Sequence, residues 1–471
     1  MHKTRIARVG AVVAGLSMFA AACGSSSSSS SSDTTAAAAT TAAAVETTAA
    51  ATETTAAAAD TTAAAAGGDT AGALEGMKGT TPLVKLSDDF KTRLGTTPTG
   101  KAGLKDYNYA GETYDAIVII ALAADLAKTD GIDMAKQING VTKDGEKCTD
   151  YASCKAIIDK GGDPDYDGIS GPITMNGNGE PLEASYGVLT FGADNRLDDA
   201  LTTYVPAKSA DSAIVPETPV EGTRAGDGQL KIGGLLPQTG SLAFLGPPEF
   251  AGAELAIADI NAAGGVLGKD VLYSPGDSGD TSTDTASQTA DRLIGEGVDA
   301  IIGAASSSVS LTVIDKITAA GIVQFSPANT SNKLSTYADK GLYFRDAPPD
   351  VLQGNLIGQL VVDDGNASAY ILALDDAYGT SLADVVEATL KAGGVTVSGK
   401  KIYDPKASSF DAEVGEIKAA DPDAIVLISF DEGSRILRTM VENGIGPKAK
   451  KVYGCDGNIG NALGENFDGG K

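Results

Sequence analysis

The passage KIGGLLPQTGSLAFLGPPEFAGAELAIADINAAGG, Lys231–Gly265, constrains the fold more than any other part of the chain. A short apolar run, Ile232 to Leu236, is bounded by Pro237 and Gly240. Pro247 and Pro248 open a helix in which Phe250, Ala253, Ile257 and Ile260 recur on one face. The helix stops at Asn261-Ala-Ala-Gly-Gly265, where glycines can take positive φ. Strand, turn, helix and stop make half of a βαβ unit. Such a unit should begin a domain, yet here more than two hundred residues precede it.

From residue 229 onward the same pattern repeats. Strands are expected at Lys231–Leu236, Val271–Ser274, Ala300–Ile302, Ile322–Phe325, Ala369–Leu374, Val395–Tyr403, Ala424–Ser429 and Lys451–Tyr453. Helices are expected between them, at 248–262, 283–296, 308–320, 350–363, 380–392, 408–419 and 432–443. Short strands alternating with helices give parallel sheets covered on both faces. The irregular passage Tyr343–Asp350, with Pro348 and Pro349, divides the series in two. The expected fold is therefore α/β: two doubly wound parallel-sheet lobes joined by a hinge, the first about 229–346. A cleft is expected between the C-terminal edges of their strands.

The front of the chain reads differently. Residues 1–22 are a signal peptide, with a basic start and an apolar run from Val9 to Ala22. The run ends in small residues before Cys23 and resembles a bacterial lipobox, so Cys23 is expected to be lipidated; ordinary cleavage near Ala22 is the alternative. Residues 23–72 are almost all Ser, Thr and Ala up to about Asp69 and are expected to form a disordered tether. In residues 73–206, Thr80–Leu86 is an expected strand, Asp88–Leu94 a short helix, Glu112–Lys128 a strong buried helix and Asp133–Asn139 another helix. Ser170–Met175 and Ser185–Phe191 are expected strands joined by the turn Asn176–Gly179. These strands are too few to form a sheet of their own. Residues 207–228 lack periodicity and read as a flexible linker, a length of coil spanning roughly 25 Å.

Cys148 and Cys154 flank a short polar stretch. In an exported chain they are expected to form a disulfide; zinc is the competing reading, poorly served by two Cys without His. Cys455 is expected to be a buried thiol. Asp163-Pro-Asp-Tyr-Asp-Gly168 begins like a calcium loop, but position twelve is Thr174 rather than Glu, so it reads as an acidic turn. Lys and Arg number 36 against 62 Asp and Glu, a formal net charge of -26. That charge opposes nucleic-acid binding. The single His is His2, inside the signal peptide, which leaves the mature chain without histidine catalysis or His-rich metal sites. No nucleophile–base pair is visible, and neither enzymatic activity nor a metal or cofactor is expected.

Three passages face the expected cleft. Ile302-Gly-Ala-Ala-Ser-Ser-Ser308 runs from a strand end into a helix start, where free N–H groups and hydroxyls suit a carboxylate. The alternative is a simple N-cap, which needs one Ser only. Phe325–Ser331 ends the next strand with carbonyls and hydroxyls. From the second lobe come Asp375–Gly379 and Tyr453–Gly457, whose carboxylates can pair with an ammonium.

The motifs IGGLLPQTGSLAFLGP, AGAELAIADINAAGGVLG, DAIIGAASSSVS, GIVQFSPANTS, YFRDAPPD and LDDAYGTSLAD occur in order. With them, the block from Gln229 onward resembles the leucine/isoleucine/valine-binding family of type I periplasmic binding proteins. The resemblance implies that Ser307 and Ser308 hold a ligand carboxylate, and that Ala328 and Thr330 hold ammonium and carboxylate. Tyr378 would close over the ligand, Phe430 would supply an aromatic from the second lobe, and Asp456 would pair with the ammonium. The aromatic expected in the first loop is represented by Phe244 or Leu245.

Family members continue past this block through a motif like YNYAGETYDA, Tyr107–Ala116, then a Cys-paired hairpin and an SGPITM-like strand. Those pieces lie in the front block. The resemblance thus implies a circularly permuted chain: 73–206 is the C-terminal half of the binding fold and 229–471 the N-terminal half. The second lobe would be about 350–471 plus about 73–105. A broken or mis-assembled gene is the rival account. The implied function is a monomeric, lipid-anchored extracytoplasmic receptor passing an amino acid or similar small polar solute to an ABC permease. A ligand-sensing module for a signalling partner is the alternative.

Overall fold

The computed structural model describes residues 70–208 and 215–470. The expected signal peptide, Cys23 and the tether up to residue 69 lie outside the described residues, as do 209–214 of the linker. The front block contains β1 (Lys78–Pro82), α1 (Asp88–Leu94), α2 (Ala110–Ala127), β2 (Glu146–Cys148), α3 (Tyr151–Ile158), β3 (Pro164–Tyr166), β4 (Glu183–Thr190) and β5 (Thr203–Lys208). After the linker come β6 (Lys231–Leu235), α4 (Gly246–Ala262), β7 (Leu272–Ser274), α5 (Thr285–Glu296), β8 (Ala300–Gly303), α6 (Ser307–Ala319), β9 (Val323–Ser326) and β10 (Tyr343–Arg345). The last stretch holds α7 (Asp350–Asp363), β11 (Ser368–Leu374), α8 (Ala377–Ala392), β12 (Thr396–Tyr403), α9 (Asp411–Ala420), β13 (Ala424–Ile428), α10 (Gly433–Glu442), β14 (Lys451–Gly454) and α11 (Asn461–Gly469).

Two large sheets result. The first has five strands in the order β10-β9-β8-β6-β7, all parallel. Its strands are short and apolar, and alternation sends their side chains to opposite faces. Ala300 and Ile302 of β8 join a core with α2 and α4, while Ile301 joins a second core with α5 and α6. Helix α2 is apolar nearly all round and buried along most of its length, as a helix between a sheet and another helix must be. It packs along α4 and reaches β8 and β9. The front block thus covers one face of the sheet begun at Lys231.

The second sheet has seven strands, β12-β11-β13-β14-β1-β4-β5. The first five are parallel; β4 and β5 are antiparallel additions. Strand β1 lies against β14 with Lys78 opposite Tyr453 and Gly79 opposite Gly454. Lys78 is also paired with Asp364 at the end of α7, at 2.8 Å.

Several expectations shift. The second lobe's sheet takes in β4 and β5 as well as residues 73–105, and it is mixed rather than purely parallel. The strand expected at Ser170–Met175 is reduced to two isolated bridges, Gly171 to Gly168 and Met175 to Pro181, on either side of Pro172, which has no N–H to donate. Asp133–Asn139 gives a 3₁₀ helix, Ile132–Gln137. The passage near Tyr343 holds a three-residue strand, β10, before the chain crosses at Asp346–Pro349. The linker boundary also moves: Ala207 and Lys208 pair with Ala184 and Glu183 in β5. Its later part is tied to the first lobe. Thr218 N donates to Gly177 O at 2.9 Å, and Arg224 pairs with Asp299 at 2.6 Å. Cys148 and Cys154 are joined in a disulfide, and Cys455 is a buried free thiol. Among the described residues no helix is long and apolar enough to cross a membrane.

Candidate ligand-binding cleft

The C-terminal ends of β8 and β9 face those of β13 and β14 across a pocket, the position where parallel α/β sheets bind ligands. Helix starts converge there. Ser306 caps α6 by accepting from Val309 N, and Asp376 caps α8 by accepting from Gly379 N. The inner pocket is small, ≈ 20 Å³, room for about one water. Ser307, Ala328 and Thr330 line it from the first lobe; Tyr378, Phe430 and Asp456 line it from the second.

Asp456 is the charged centre of this space. Its Oδ2 accepts from Tyr109 Oη at 2.6 Å and its Oδ1 from Tyr378 Oη at 2.7 Å. Burial raises its carboxyl above the usual range, and the two tyrosine hydrogen bonds only partly offset that. Tyr378 stacks on Phe430, ring centroids 5.6 Å apart at 7°. Gly457 permits this arrangement: a Cβ there would stand 3.1 Å from both rings and 2.7 Å from Ser429 O. Cys455 Sγ lies 2.9 Å from Tyr378 Oη, and burial pushes its thiol up, so it serves as wall rather than nucleophile.

The first-lobe side carries no charge at its surface but is held by one behind it. Arg345, fully buried, donates to Asn329 O at 3.2 Å and Ser331 O at 2.9 Å, fixing the loop that presents Ala328 and Thr330. Its guanidinium also binds Glu180, from the front block. Burial alone would raise Glu180, but Arg345 wins and holds it below the usual carboxylate range. Thr330 O accepts from Asp350 N at 2.7 Å, and Ser307 Oγ from Ser331 N at 3.3 Å.

Six of the seven residues expected at the site line this pocket. Ser308 does not: its Oγ accepts from Ala377 N at 2.8 Å and donates to Asp376 at 3.2 Å. One helical step turns it from the pocket towards the start of α8, where it links the lobes. Ser306 takes the place at the pocket wall. In the first loop it is Leu245, with Leu242, that reaches the pocket, while Phe244 packs on the core behind. Sequence reasoning also passed over Tyr109. It lies in the quoted YNYAGETYDA motif, but its role depends on a backbone φ of 61° and on a partner 347 residues away. Among the described residues no group of three or more His, Cys, Asp or Glu is placed to hold a metal ion.

Two α/β lobes, crossed by hinge segments and closing on a shared pocket, define a two-lobed binding protein. The family model described as "Periplasmic binding protein" matches residues 229–469, and the chain belongs to that family. Among curated relatives it is similar to Leu/Ile/Val-binding protein homolog 8 of Brucella abortus (strain 2308), 31% identical over 240 residues, 48% of this chain and 58% of the relative. Leu/Ile/Val-binding protein homolog 7 of the same organism is 28% identical over 248 residues, 50% and 61%. The aligned part therefore spans about three-fifths of those relatives' length. Among solved structures, the branched-chain amino acid transporter substrate binding protein LivJ from Streptococcus pneumoniae, in complex with isoleucine, is 26% identical with a TM-score of 0.46, covering 51% of this chain and 67% of that one. A leucine binding protein LivK from Thermotoga maritima is 22% identical with a TM-score of 0.44, covering 50% and 66%.

Proposed function

We propose that this chain is an extracytoplasmic solute-binding lipoprotein that captures an amino acid or similar small polar solute in the interlobe pocket and delivers it to an ABC importer. The observation that carries this reading is Asp456. It is a desolvated carboxylate aimed into the pocket by two tyrosines, opposite the neutral hydroxyl-bearing loops of Ser307 and Thr330. A zwitterion fits that pair of faces: its ammonium to Asp456, its carboxylate to hydroxyls and the α6 start. The names of the curated relatives favour the same ligand class. The pocket is too small for such a ligand to enter with the lobes as they stand, so capture requires hinge opening and closing, with tighter binding to the closed form. No covalent step or cofactor takes part. The cognate amino acid should raise the thermal unfolding midpoint, and Asp456→Ala should abolish the rise. A broad amino-acid panel without any shift would refute this ligand class.

We further read the chain as circularly permuted. Supporting this are the seat of β1 between β14 and β4, and of α2 on α4. Asn195 also donates to both Thr70 O (2.8 Å) and Asp468 Oδ1 (2.7 Å), drawing the start of the front block to the end of α11. Limited proteolysis checks it: cuts are expected only around 25–72 and within the linker, leaving one cooperative core. Two blocks degraded independently would contradict it.

A further inference from the structure

Beyond the inner pocket the cleft widens into a vestibule of ≈ 600 Å³. Leu242, Ser306 and Phe430 line both spaces, so the two form one continuous surface. The inner space, with room for about one water as the lobes stand, has no place for a side chain; the vestibule beside it has. Its wall is acidic. Asp280 comes from the first lobe, and Asp375, Asp404 and Asp431 from the second, against Lys406 and Arg435. Arg435 is used locally, donating to Ala407 O at 3.1 Å and lying 5.1 Å over the Phe410 ring. The ion pairs among the described residues include none of these four carboxylates, whereas acids elsewhere on the second lobe, such as Asp421 and Glu387, are paired.

Asp280 and Asp431 matter most because they belong to different lobes. Desolvation by the cleft walls raises the Asp431 carboxyl; Arg435 offsets this in part, and Asp280 opposite adds to it. Like charges facing each other across a hinge oppose closure, and a cation between them reverses that sign. We propose that the ligand is an amino acid with a cationic side chain, an amine or a guanidinium. Its head group would sit at Asp456 and its cation in the vestibule between Asp280 and Asp431. The proposal rests on reading the inner pocket as an amino-acid site. It makes Asp280 and Asp431 specificity-determining residues, and it gives closure an electrostatic drive that a neutral side chain lacks.

Isothermal titration of the full chain with L-arginine, L-lysine, L-leucine and L-valine tests it, with apo thermal unfolding confirming that each variant is folded. Arginine or lysine should bind at least about tenfold more tightly than leucine or valine. The double variant Asp280→Asn, Asp431→Asn should weaken the basic ligand by about tenfold or more without weakening leucine, whose binding gains from the lost repulsion between the lobes. Leucine or valine binding as tightly as the basic pair, and depending on Asp456, would overturn this proposal and leave the amino-acid reading intact. An unchanged affinity for arginine and lysine in the double variant would also overturn it. If none of the four ligands binds, the cationic-side-chain proposal falls, while the amino-acid reading is decided by the broader panel.

Discussion

The two sides of the cleft hold their polar groups by opposite means. On the first lobe the pocket surface is neutral, and its charge lies one layer back, in the Arg345–Glu180 pair that grips the Asn329–Ser331 loop. On the second lobe the charge itself faces the pocket, at Asp456, and two tyrosine hydroxyls orient it. A neutral face built from loops and helix starts is inexpensive to leave empty but needs support to stay in place. A desolvated carboxylate binds a cation strongly but resists burial without one. The first side therefore stores its energetic risk in folding and the second stores it in binding.

The difference is open to attack from the folding side first. Arg345→Met leaves Glu180 buried without its cation and frees two loop carbonyls. The expected loss is about 3–5 kcal/mol of stability, with ligand binding impaired even where the protein stays folded. Denaturant unfolding against wild type measures it. A loss well below 1 kcal/mol would mean that the loop is held by something else and that the contrast between the two sides is false.

Much of this arrangement was legible beforehand, and the part that was not has specific causes. Parallel strands buried on both faces read as continuous apolar runs, so β8, β11 and β13 stand out, and their helices begin at recognisable caps such as Asp376. Strand β5 did not stand out: TYVPAK is a half-exposed edge strand containing Pro206, with no periodic apolar face. Three-residue β10 is too short to carry any pattern. The hydroxyl-bearing helix start was visible as Ser306-Ser-Ser308, but which serine faces the ligand depends on helical phase and on how the lobes meet. Here Ser306 and Ser307 face the pocket while Ser308 bridges to α8. Tyr109 and Arg345 act through partners in distant segments, and a linear pattern cannot reveal a contact made only once the lobes exist.

The comparison extends to the carboxylates behind the first lobe's helices. Glu112 at the start of α2 and Glu249 at the start of α4 are both buried, on helices that pack together, and neither has a tyrosine to steady it as Asp456 does. Burial pushes Glu112 up from 4.5 to about 8, with Asp115 adding to the rise; burial, then Glu112 itself, pushes Glu249 well above its ordinary range. A carboxyl whose folded value is raised is protonated in the folded protein. Its contribution is fully present below the unfolded value and is lost as pH rises through the folded one. Stability should therefore decline between about pH 5 and about pH 8, by on the order of 3 kcal/mol for Glu112 alone. Glu112→Gln should flatten that slope and be more stable than wild type at the upper end. Thermal unfolding across the range decides it, and a slope unchanged by the substitution would mean that Glu112 is ionised after all.

The smallest expected effect is the sharpest test of the contrast. Ser307 Oγ is one of several neutral groups on the first-lobe face, and its removal leaves Ser331 N short of an acceptor at 3.3 Å, already a long hydrogen bond. Ser307→Ala should reduce ligand affinity by about 1 kcal/mol, roughly fivefold, and leave the apo unfolding midpoint nearly unchanged. Asp456→Ala removes the only carboxylate among the residues lining the inner pocket, so no neighbour there can compensate. If affinity is instead lost as completely in Ser307→Ala as in Asp456→Ala, the hydroxyl side is not a set of small, replaceable dipoles. Binding would then be anchored at the start of α6, and the roles assigned to the two faces would have to be exchanged.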